Sequence, residues 1–274
     1  MNTAWPWCTP APDTFGTEAT PLQLSVAITT LNEEQNLPRC LASLEGLADQ
    51  IIVLDSLSTD GTRQIAEDGG AEFHSQAFLG HVRQKQMALE LARGDWVLNI
   101  DADEWLDDDL RQAIAQVLAG PADMGPAGYE LNRRNQYLGA WIDHCGWSPQ
   151  WRLRLVRQGA ARWAGEDPHD RLEVSGAEGR LNGRLNHQPY RDLADHFARI
   201  GRYTDTMAAD RYERGERGAV SRLIFRPAGR FLRMYVAQRG FLDGWRGLVL
   251  CSVAAFYVFL KYAKLMELSH RQSP

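Results

Sequence analysis

The stretch Gly94-Asp-Trp-Val-Leu-Asn-Ile-Asp-Ala-Asp-Glu104 indicates the fold and locates the candidate site. Residues 96–100 form an apolar run that predicts a short buried strand. Asp101 and Asp103 follow at its carboxyl end, which is the edge where open α/β sheets bind ligands. Two carboxylates in such a turn can hold Mg²⁺ or Mn²⁺, with ligand phosphates completing the coordination. A solvated acidic loop leading into a helix at residues 107–109 is the alternative.

Strand and helix patterns alternate around this stretch. Asn32 is a plausible N-cap for the helix after the first strand. This alternation predicts an α/β fold with a mostly parallel, doubly wound sheet and right-handed crossovers. No glycine-rich dinucleotide fingerprint and no P-loop follows any predicted strand, so dinucleotide redox chemistry and ATP hydrolysis are unsupported. The strands are predicted at residues 24–30, 50–54, 72–74 and 96–100, and two further helices at 62–68 and 80–92.

Charge is distributed unevenly along the 274 residues. The net charge is -5, yet residues 220–274 hold nine Lys or Arg and two acids, a local balance of +7. A basic, aromatic-rich tail on an acidic body suggests an anionic surface, either lipid or nucleic acid, whereas a solvated helical face is the alternative. The four cysteines are scattered without zinc spacing, which favours reduced thiols in a cytosolic protein. The first residues lack the basic and apolar segments of a secretory signal, so none is expected.

An uncharged run of fourteen residues lies at 247–260, between Arg246 and Lys261. It is shorter than the ~20 apolar residues that a membrane-spanning helix needs. Aromatic and basic residues surround it, which favours an amphipathic segment at a membrane surface. A packed helical cap is the competing interpretation.

Several side chains outside the acidic pair are candidate ligand contacts. Asp55 ends a predicted strand, where an acid accepts hydrogen bonds from a base or ribose or serves a structural role. Arg152 and Arg154 alternate along a strand, so they share one face and can bind phosphate or carboxylate, or form surface salt bridges. Trp147 lies in a tryptophan-rich region that suits stacking on sugar rings or core packing. Residues 166–171 are dense in acids, any of which can serve as a general base near the cleft.

Three sequence blocks, taken in order, carry a family resemblance. They are Thr29-Thr-Leu-Asn-Glu-Glu34, Asp55-Ser-Leu-Ser-Thr-Asp-Gly-Thr62 and the stretch quoted first. Their order and spacing resemble the signature of family 2 inverting glycosyltransferases with the GT-A fold. Later segments resemble the lipopolysaccharide-core branch, which includes enzymes that add glucose to the inner core. They include Arg133-Arg-Asn, Pro168-His-Asp-Arg-Leu172, Tyr190-Arg-Asp-Leu193 and Arg239-Gly-Phe-Leu-Asp-Gly244.

The resemblance implies a nucleotide-sugar donor, most simply a UDP-sugar, and a Mg²⁺ or Mn²⁺ cofactor. Asp103, together with Asp101, is implied to carry the metal that bridges the donor diphosphate. Lys85 is implied to approach the phosphates. The remaining implied substrate contacts are Thr30, Asn32, Glu33, Asp55, Asp101, Trp147, Arg152, Arg154 and His169.

An inverting reaction needs one base that takes the proton of the acceptor hydroxyl. Relatives often carry His-Glu where this chain has His169-Asp170, so the resemblance implies Asp170 as the base. Glu166 and Asp167 are the alternatives. Leu57 stands where many relatives have glycine, so the turn after Asp55 is expected to differ.

Pattern and resemblance together divide the chain and place it in the cell. Residues 1–22 carry four prolines and little apolar periodicity, which predicts a loose arm. The resemblance implies a nucleotide-sugar-binding half (23–128) and an acceptor-binding half (129–218), and the basic, aromatic tail predicts amphipathic membrane-associated helices (219–274). The implied partners are the donor, a glycolipid acceptor and the cytoplasmic face of the inner membrane, bound peripherally, with no nucleic acid. A non-catalytic nucleotide-sugar-binding scaffold at the membrane is the main alternative, and a nucleic-acid-binding protein is a third, opposed by the acidic body.

Overall fold

The computed structural model describes residues 23–120, 125–166 and 169–271. The expected arm (1–22) and Asp167 lie outside these residues. For Glu166 and His169 only the strand positions are described. The strands are β1 (Leu24–Thr30), β2 (Gln50–Asp55), β3 (Glu72–Ser75), β4 (Trp96–Asp101), β5 (Glu104–Leu106), β6 (Gly128–Tyr137), β7 (Ala140–Ile142), β8 (Gln150–Arg157), β9 (Ala161–Glu166), β10 (His169–Val174), β11 (Glu178–Arg180) and β12 (Leu185–His187). The α-helices are α1 (Leu37–Ala42), α2 (Thr62–Asp68), α3 (His81–Glu90), α4 (Asp108–Leu118), α5 (Leu193–Glu213), α6 (Val220–Leu232) and α7 (Gly244–Arg271).

The first four strands form the predicted parallel half of the sheet. They lie in the order β3-β2-β1-β4, with the crossover helices α1, α2 and α3 between successive strands. β1 and β4 are almost completely buried because apolar side chains cover both faces, as expected for strands with helices on either side. The register pairs Thr29 with Asp101 and Thr30 with Asp55, so the carboxyl ends of these strands meet at one edge. The predicted α/β fold is confirmed.

The other half of the sheet is mixed in direction. β8 runs antiparallel to β4, β6 antiparallel to β8, β12 parallel to β6, and β5 antiparallel to β12. β9 and β10 form a separate antiparallel pair beside α3. This arrangement brings β10 and β12 to the same edge as the ends of β1 and β4. Both strands reach that edge from distant parts of the sequence.

The first helix starts later than the sequence pattern suggested. Asn32 has a positive φ of 56° and does not cap a helix, because α1 begins at Leu37 after Asn36. The Asn32 side chain instead accepts a hydrogen bond from Thr59 N at 2.9 Å. Asn32 therefore links the first loop to the turn that follows β2.

A helical layer covers the later strands. α7 packs against α5 and α6, and a turn of π-helix (Arg233–Ala237) and a turn of 3-10 helix (Gly240–Asp243) connect α6 to α7. The uncharged run is thus part of one 28-residue helix. Among the described residues, one helical stretch, Gly240–Arg271, has the length and composition to cross a membrane. Core helices of soluble proteins share these properties.

Candidate active site

Asp101, at the end of β4, is held by two cations. Its carboxylate lies 3.0 Å from Lys85 Nζ and 3.3 Å from Arg154 Nη2, and it accepts a hydrogen bond from Thr29 Oγ1 at 3.4 Å. Burial would raise the pKa of Asp101, but the Lys85 and Arg154 charges outweigh it and hold that pKa well below its usual range. Asp101 is therefore a carboxylate whose charge is compensated within the protein.

Asp170 joins the same network from β10. Its Oδ2 lies 3.0 Å from Lys85 Nζ, so the lysine bridges two carboxylates that are 69 residues apart in the sequence. Burial would lower the pKa of Lys85, but Asp101 and Asp170 raise it above its ordinary value despite the opposing charge of Arg154. The Asp170 side chain is 18% exposed, which leaves it accessible to a ligand. The geometry therefore places the expected base beside the first acid of the pair.

Glu104 is a buried member of the site that the sequence interpretation passed over. Its side chain is fully buried, and Oε1 lies 2.9 Å from Arg154 Nη2 and 3.2 Å from Arg133 Nη1. Its Oε2 accepts the Asp101 N–H at 3.0 Å, which fixes the turn between the two aspartates. Burial would lower the pKa of Arg154, but Glu104 first and then Asp101 and Asp170 raise it. The sequence did contain a signal for Glu104, because this residue follows Asp101 and Asp103 at the end of the acidic stretch 94–104.

Asp103, the second acid of the pair, faces a histidine. Its Oδ2 lies 3.4 Å from Nε2 of His187, at the end of β12, and its Oδ1 is buried without a hydrogen-bond partner. The two side chains are 13% and 11% exposed. An unpartnered buried carboxylate oxygen beside an imidazole nitrogen is a donor set that suits a divalent cation. No local sequence signal pointed to His187, because strand pairing alone brings it to Asp103.

The next side chains are ones expected at the nucleotide, Thr30, Asp55 and Glu33, which lie at the ends of β1 and β2 and in the loop after β1. Asp55 is almost fully buried and accepts hydrogen bonds from Thr30 Oγ1 at 2.9 Å and from Ser58 N at 2.7 Å. Leu57, in the same turn, has a φ of 65°, a left-handed conformation that glycine adopts more readily than leucine. Burial, opposed by a hydrogen bond from Asn36 and helped by the nearby Asp103 charge, raises the pKa of Glu33 to about 7.

The remaining side chains expected to contact a substrate occupy different positions. Arg154 is buried in the acid network, whereas Arg152 is exposed on the same strand, near the charges of Arg133 and Asp170. Trp147 is half-buried and packs edge-on against Tyr137, with ring centroids 5.9 Å apart. His169 precedes Asp170 in β10. Arg152 is thus the arginine of the pair that is open to solvent.

Comparison with known proteins shows similarity to glycosyltransferases over most of the chain. The family model for glycosyl transferase family 2 matches residues 25–162. A lipopolysaccharide core biosynthesis glycosyltransferase, LpsC of Rhizobium meliloti, is 33% identical over 90% of this chain and 93% of its own length. An uncharacterized glycosyltransferase of Rickettsia typhi is 30% identical over 90% of this chain and 88% of its own.

Solved structures give more distant matches. The TarS 1–349 fragment of S. aureus in complex with UDP-GlcNAc is 14% identical, covers 92% of both chains and superimposes with a TM-score of 0.47. Glucosyl-3-phosphoglycerate synthase from Mycobacterium tuberculosis, in complex with Mn²⁺, UDP and glucosyl-3-phosphoglycerate, is 28% identical over 43% of this chain and 45% of its own, with a TM-score of 0.32. The family match over residues 25–162 and the near full-length similarity to LpsC establish that the chain belongs to glycosyltransferase family 2 and is a glycosyltransferase with the GT-A fold.

Proposed function

We propose that the protein transfers glucose from UDP-glucose, with inversion, to a membrane glycolipid of the lipopolysaccharide inner-core type. The observation that carries the proposal is the placement of Asp170 and Asp101 on either side of Lys85 at the carboxyl edge of the parallel strands. The similarity to LpsC over most of both chains supports the acceptor class. The non-catalytic scaffold would be favoured if Asp170 pointed away from this cleft, and the ion pair between Asp170 and Lys85 supports the catalytic proposal instead.

Asp170 is the proposed catalytic base. The acceptor hydroxyl gives its proton to the Asp170 carboxylate while its oxygen attacks the anomeric carbon, and the bond from that carbon to the diphosphate breaks on the opposite face. The products are a glycoside of inverted configuration and UDP. Lys85 lies where it can pair with the diphosphate, and that pairing would release Asp170 from its ion pair.

Asp103 and His187 are the proposed protein ligands of a Mg²⁺ or Mn²⁺ ion. The unpartnered Asp103 Oδ1 and the facing His187 Nε2 fit such an ion, whereas the Asp101 carboxylate is committed to Lys85 and Arg154. No cluster of three or more His, Cys, Asp or Glu side chains suited to a metal occurs in the described part of the chain, so phosphate oxygens and water would complete the coordination. When bound, the ion would act as a Lewis acid that neutralises the leaving diphosphate.

The C-terminal helices form the proposed membrane-binding surface. α6 buries none of its residues, and Phe225 is 72% exposed on it. Further exposed apolar side chains follow at Leu232, Val236, Leu242 and Trp245, the last of them 57% exposed. Arginines occur between them at positions 226, 230, 233 and 239. An apolar face with interspersed cations suits the anionic cytoplasmic leaflet of the inner membrane, bound peripherally.

The catalytic proposal is tested with Asp170→Asn. The assay follows UDP release from UDP-glucose, with purified rough lipopolysaccharide truncated to the inner core as acceptor and Mn²⁺ present. The variant should lose about 10²- to 10⁴-fold in turnover while it binds UDP as the wild type does. Glu173→Gln is the matched control, because Glu173 lies on the same strand in a surface ion pair. Equal turnover by Asp170→Asn and the control would contradict the assignment of Asp170.

The donor is tested separately by calorimetry with UDP, GDP, CDP, ADP and dTDP. We expect UDP to bind and Asp103→Ala to weaken the Mn²⁺-dependent part of that binding. Preference for another nucleotide would overturn the UDP assignment without affecting that of the base. Absence of transfer from every nucleotide-sugar despite UDP binding would favour the scaffold.

The membrane proposal is tested on the full-length chain. Removing residues 220–274 would expose the buried cluster that Met234, Leu250 and Cys251 form with Tyr137 and Ile142, so point variants are better. Phe225→Ser combined with Arg226→Glu should reduce sedimentation with vesicles containing anionic phospholipid, because both side chains are exposed. Unchanged sedimentation would rule out this surface as the anchor.

A further inference from the structure

Asn135 connects the proposed metal ligand His187 to the loop that carries Trp147. It lies in β6 and is 3% exposed, and the sheet register pairs it with His187 in β12. Its Nδ2 donates to the Trp147 carbonyl at 3.0 Å, and its Oδ1 lies 2.7 Å from Nδ1 of His187. A single buried amide therefore contacts both segments.

These two contacts fix the orientation of the amide and the proton of the imidazole. The Trp147 carbonyl only accepts hydrogen bonds, so the NH₂ group of Asn135 must face it. The Asn135 oxygen then faces His187 and cannot donate, so Nδ1 of His187 carries the proton. In the neutral imidazole, Nε2 is left with a lone pair directed at Asp103 Oδ2, 3.4 Å away. Two acceptors facing each other at this distance are stabilised by a cation between them.

We propose that Asn135 is a positioning residue that holds the His187 ring in the orientation and tautomer of a metal ligand. Its hydrogen bond to the Trp147 carbonyl couples the position of this ring to the acceptor side of the cleft. The inference rests on the proposed function, because it takes His187 and Asp103 as the ligands. A group that accepts the second N–H of a metal-binding histidine fixes the ring and its tautomer, and its loss typically weakens metal binding about 10- to 100-fold. Asn135 differs from the usual carboxylate or backbone acceptor because it also donates to another segment.

The Trp147 segment is in turn attached to the C-terminal helices. Asp243, whose side chain is 6% exposed, accepts hydrogen bonds from Asp143 N at 3.2 Å and from His144 N at 3.1 Å, and contacts His144 Nδ1 at 3.0 Å. The Cys145 N–H donates to the Gln238 carbonyl at 3.2 Å. A hydrogen-bonded route thus runs from the proposed membrane-binding layer through residues 143–147 and Asn135 to the cation site.

The test measures Mn²⁺ affinity and histidine tautomer in the full-length protein. Free Mn²⁺ is titrated by electron paramagnetic resonance in the presence of UDP, for wild type, Asn135→Ala and Asn135→Asp. Asn132→Ala is the matched control, because Asn132 is a buried asparagine three positions earlier on β6 and faces the other side of the strand. The tautomer is read in metal-free protein from ¹⁵N shifts of labelled histidine, with the His187 signal assigned from its absence in His187→Gln.

We expect the wild type to show a protonated Nδ1 at His187 and Asn135→Ala to bind Mn²⁺ about 10- to 100-fold more weakly. Asn135→Asp should retain near wild-type affinity, because a carboxylate also accepts the Nδ1 proton. It should raise the KM for acceptor, since it cannot donate to the Trp147 carbonyl. Asn132→Ala should change neither quantity.

Wild-type Mn²⁺ affinity in a folded Asn135→Ala variant, or a neutral His187 ring in the wild type that carries its proton on Nε2 and not on Nδ1, would overturn the role of Asn135 alone. Absence of Mn²⁺ binding to the wild type, with UDP binding intact, would instead overturn the proposed metal site and the inference that rests on it. The two failures are therefore distinguishable.

Discussion

The substitution Glu104→Gln tests the electrostatic core of the site. Glu104 is fully buried and compensates two arginines, Arg154 at 2.9 Å and Arg133 at 3.2 Å. The amide that replaces it is similar in size but neutral. Arg154, whose side chain is 6% exposed, would keep the Asp101 carboxylate at 3.3 Å as its ion-pair partner among the described residues, together with the charge of Asp170. The variant therefore removes the partner that contributes most to the compensation of this buried cation.

The expected cost follows from the geometry. Breaking a buried ion pair by removing one partner costs about 3–5 kcal/mol. Glutamine retains one acceptor oxygen, which reduces the loss, but both carboxylate oxygens of Glu104 accept hydrogen bonds, Oε1 from the arginines and Oε2 from Asp101 N. Whichever way the amide turns, its NH₂ group faces a donor. We therefore expect a loss of about 3 kcal/mol in the free energy of unfolding.

The assay is urea denaturation at pH 7.5, with Glu67→Gln as the control. Glu67 pairs with Arg63 in an exposed i, i+4 ion pair, which contributes about 0.3–0.5 kcal/mol. The double variant Glu104→Gln/Arg154→Met should be less destabilised than the sum of its single variants, because no uncompensated Arg154 charge remains. If Glu104→Gln loses less than about 1 kcal/mol, or if the double variant is strictly additive, the buried charges are not coupled in this way.

Three further predictions concern other parts of the structure. Burial depresses the pKa of His196 to about 4, so the folded state keeps this ring neutral while the unfolded chain takes up a proton below about pH 6.5. The free energy of unfolding should then fall as the pH drops from 6.5 towards 4, by about 2 kcal/mol between pH 8 and pH 5. The variant His196→Phe keeps a ring against Tyr190 and should lose this pH dependence in denaturation curves. Gly94→Ala should destabilise the protein by about 1–3 kcal/mol, because the added Cβ would lie 2.7 Å from the backbone nitrogen of Ser25, and a normal urea midpoint would show that the backbones separate easily. Lys85→Met should weaken UDP binding measured by calorimetry and should destabilise the fold, because it removes the cation between two carboxylates; unchanged UDP affinity would argue against a phosphate contact.

Local patterns in the sequence were sufficient to predict the parallel half of the fold. The apolar runs that became β1, β2 and β4 and the polar turns after them predict strands, and Asp55 follows from the second of these while Asp101 and Asp103 follow from the third. Strand periodicity is a property of a few consecutive residues, so it is readable without knowledge of the rest of the chain. The helix start at Leu37 was missed because the sequence pattern treats Asn32 as a helix cap. In the structure the Asn32 side chain instead accepts a hydrogen bond from Thr59 N, in the turn after β2.

The sequence by itself determined the family, the α/β architecture and the acids that follow β4, because these depend on short segments with strong local signals. Only the tertiary structure decided which side chains share the site. Lys85 meets Asp170 because the β9-β10 pair packs against α3, and His187 meets Asp103 because β12 joins β5 and β6. Pairing between strands far apart in the chain sets these distances, which no local pattern records. The buried charges then depend on each other, because removing one partner leaves an uncompensated ion in the interior.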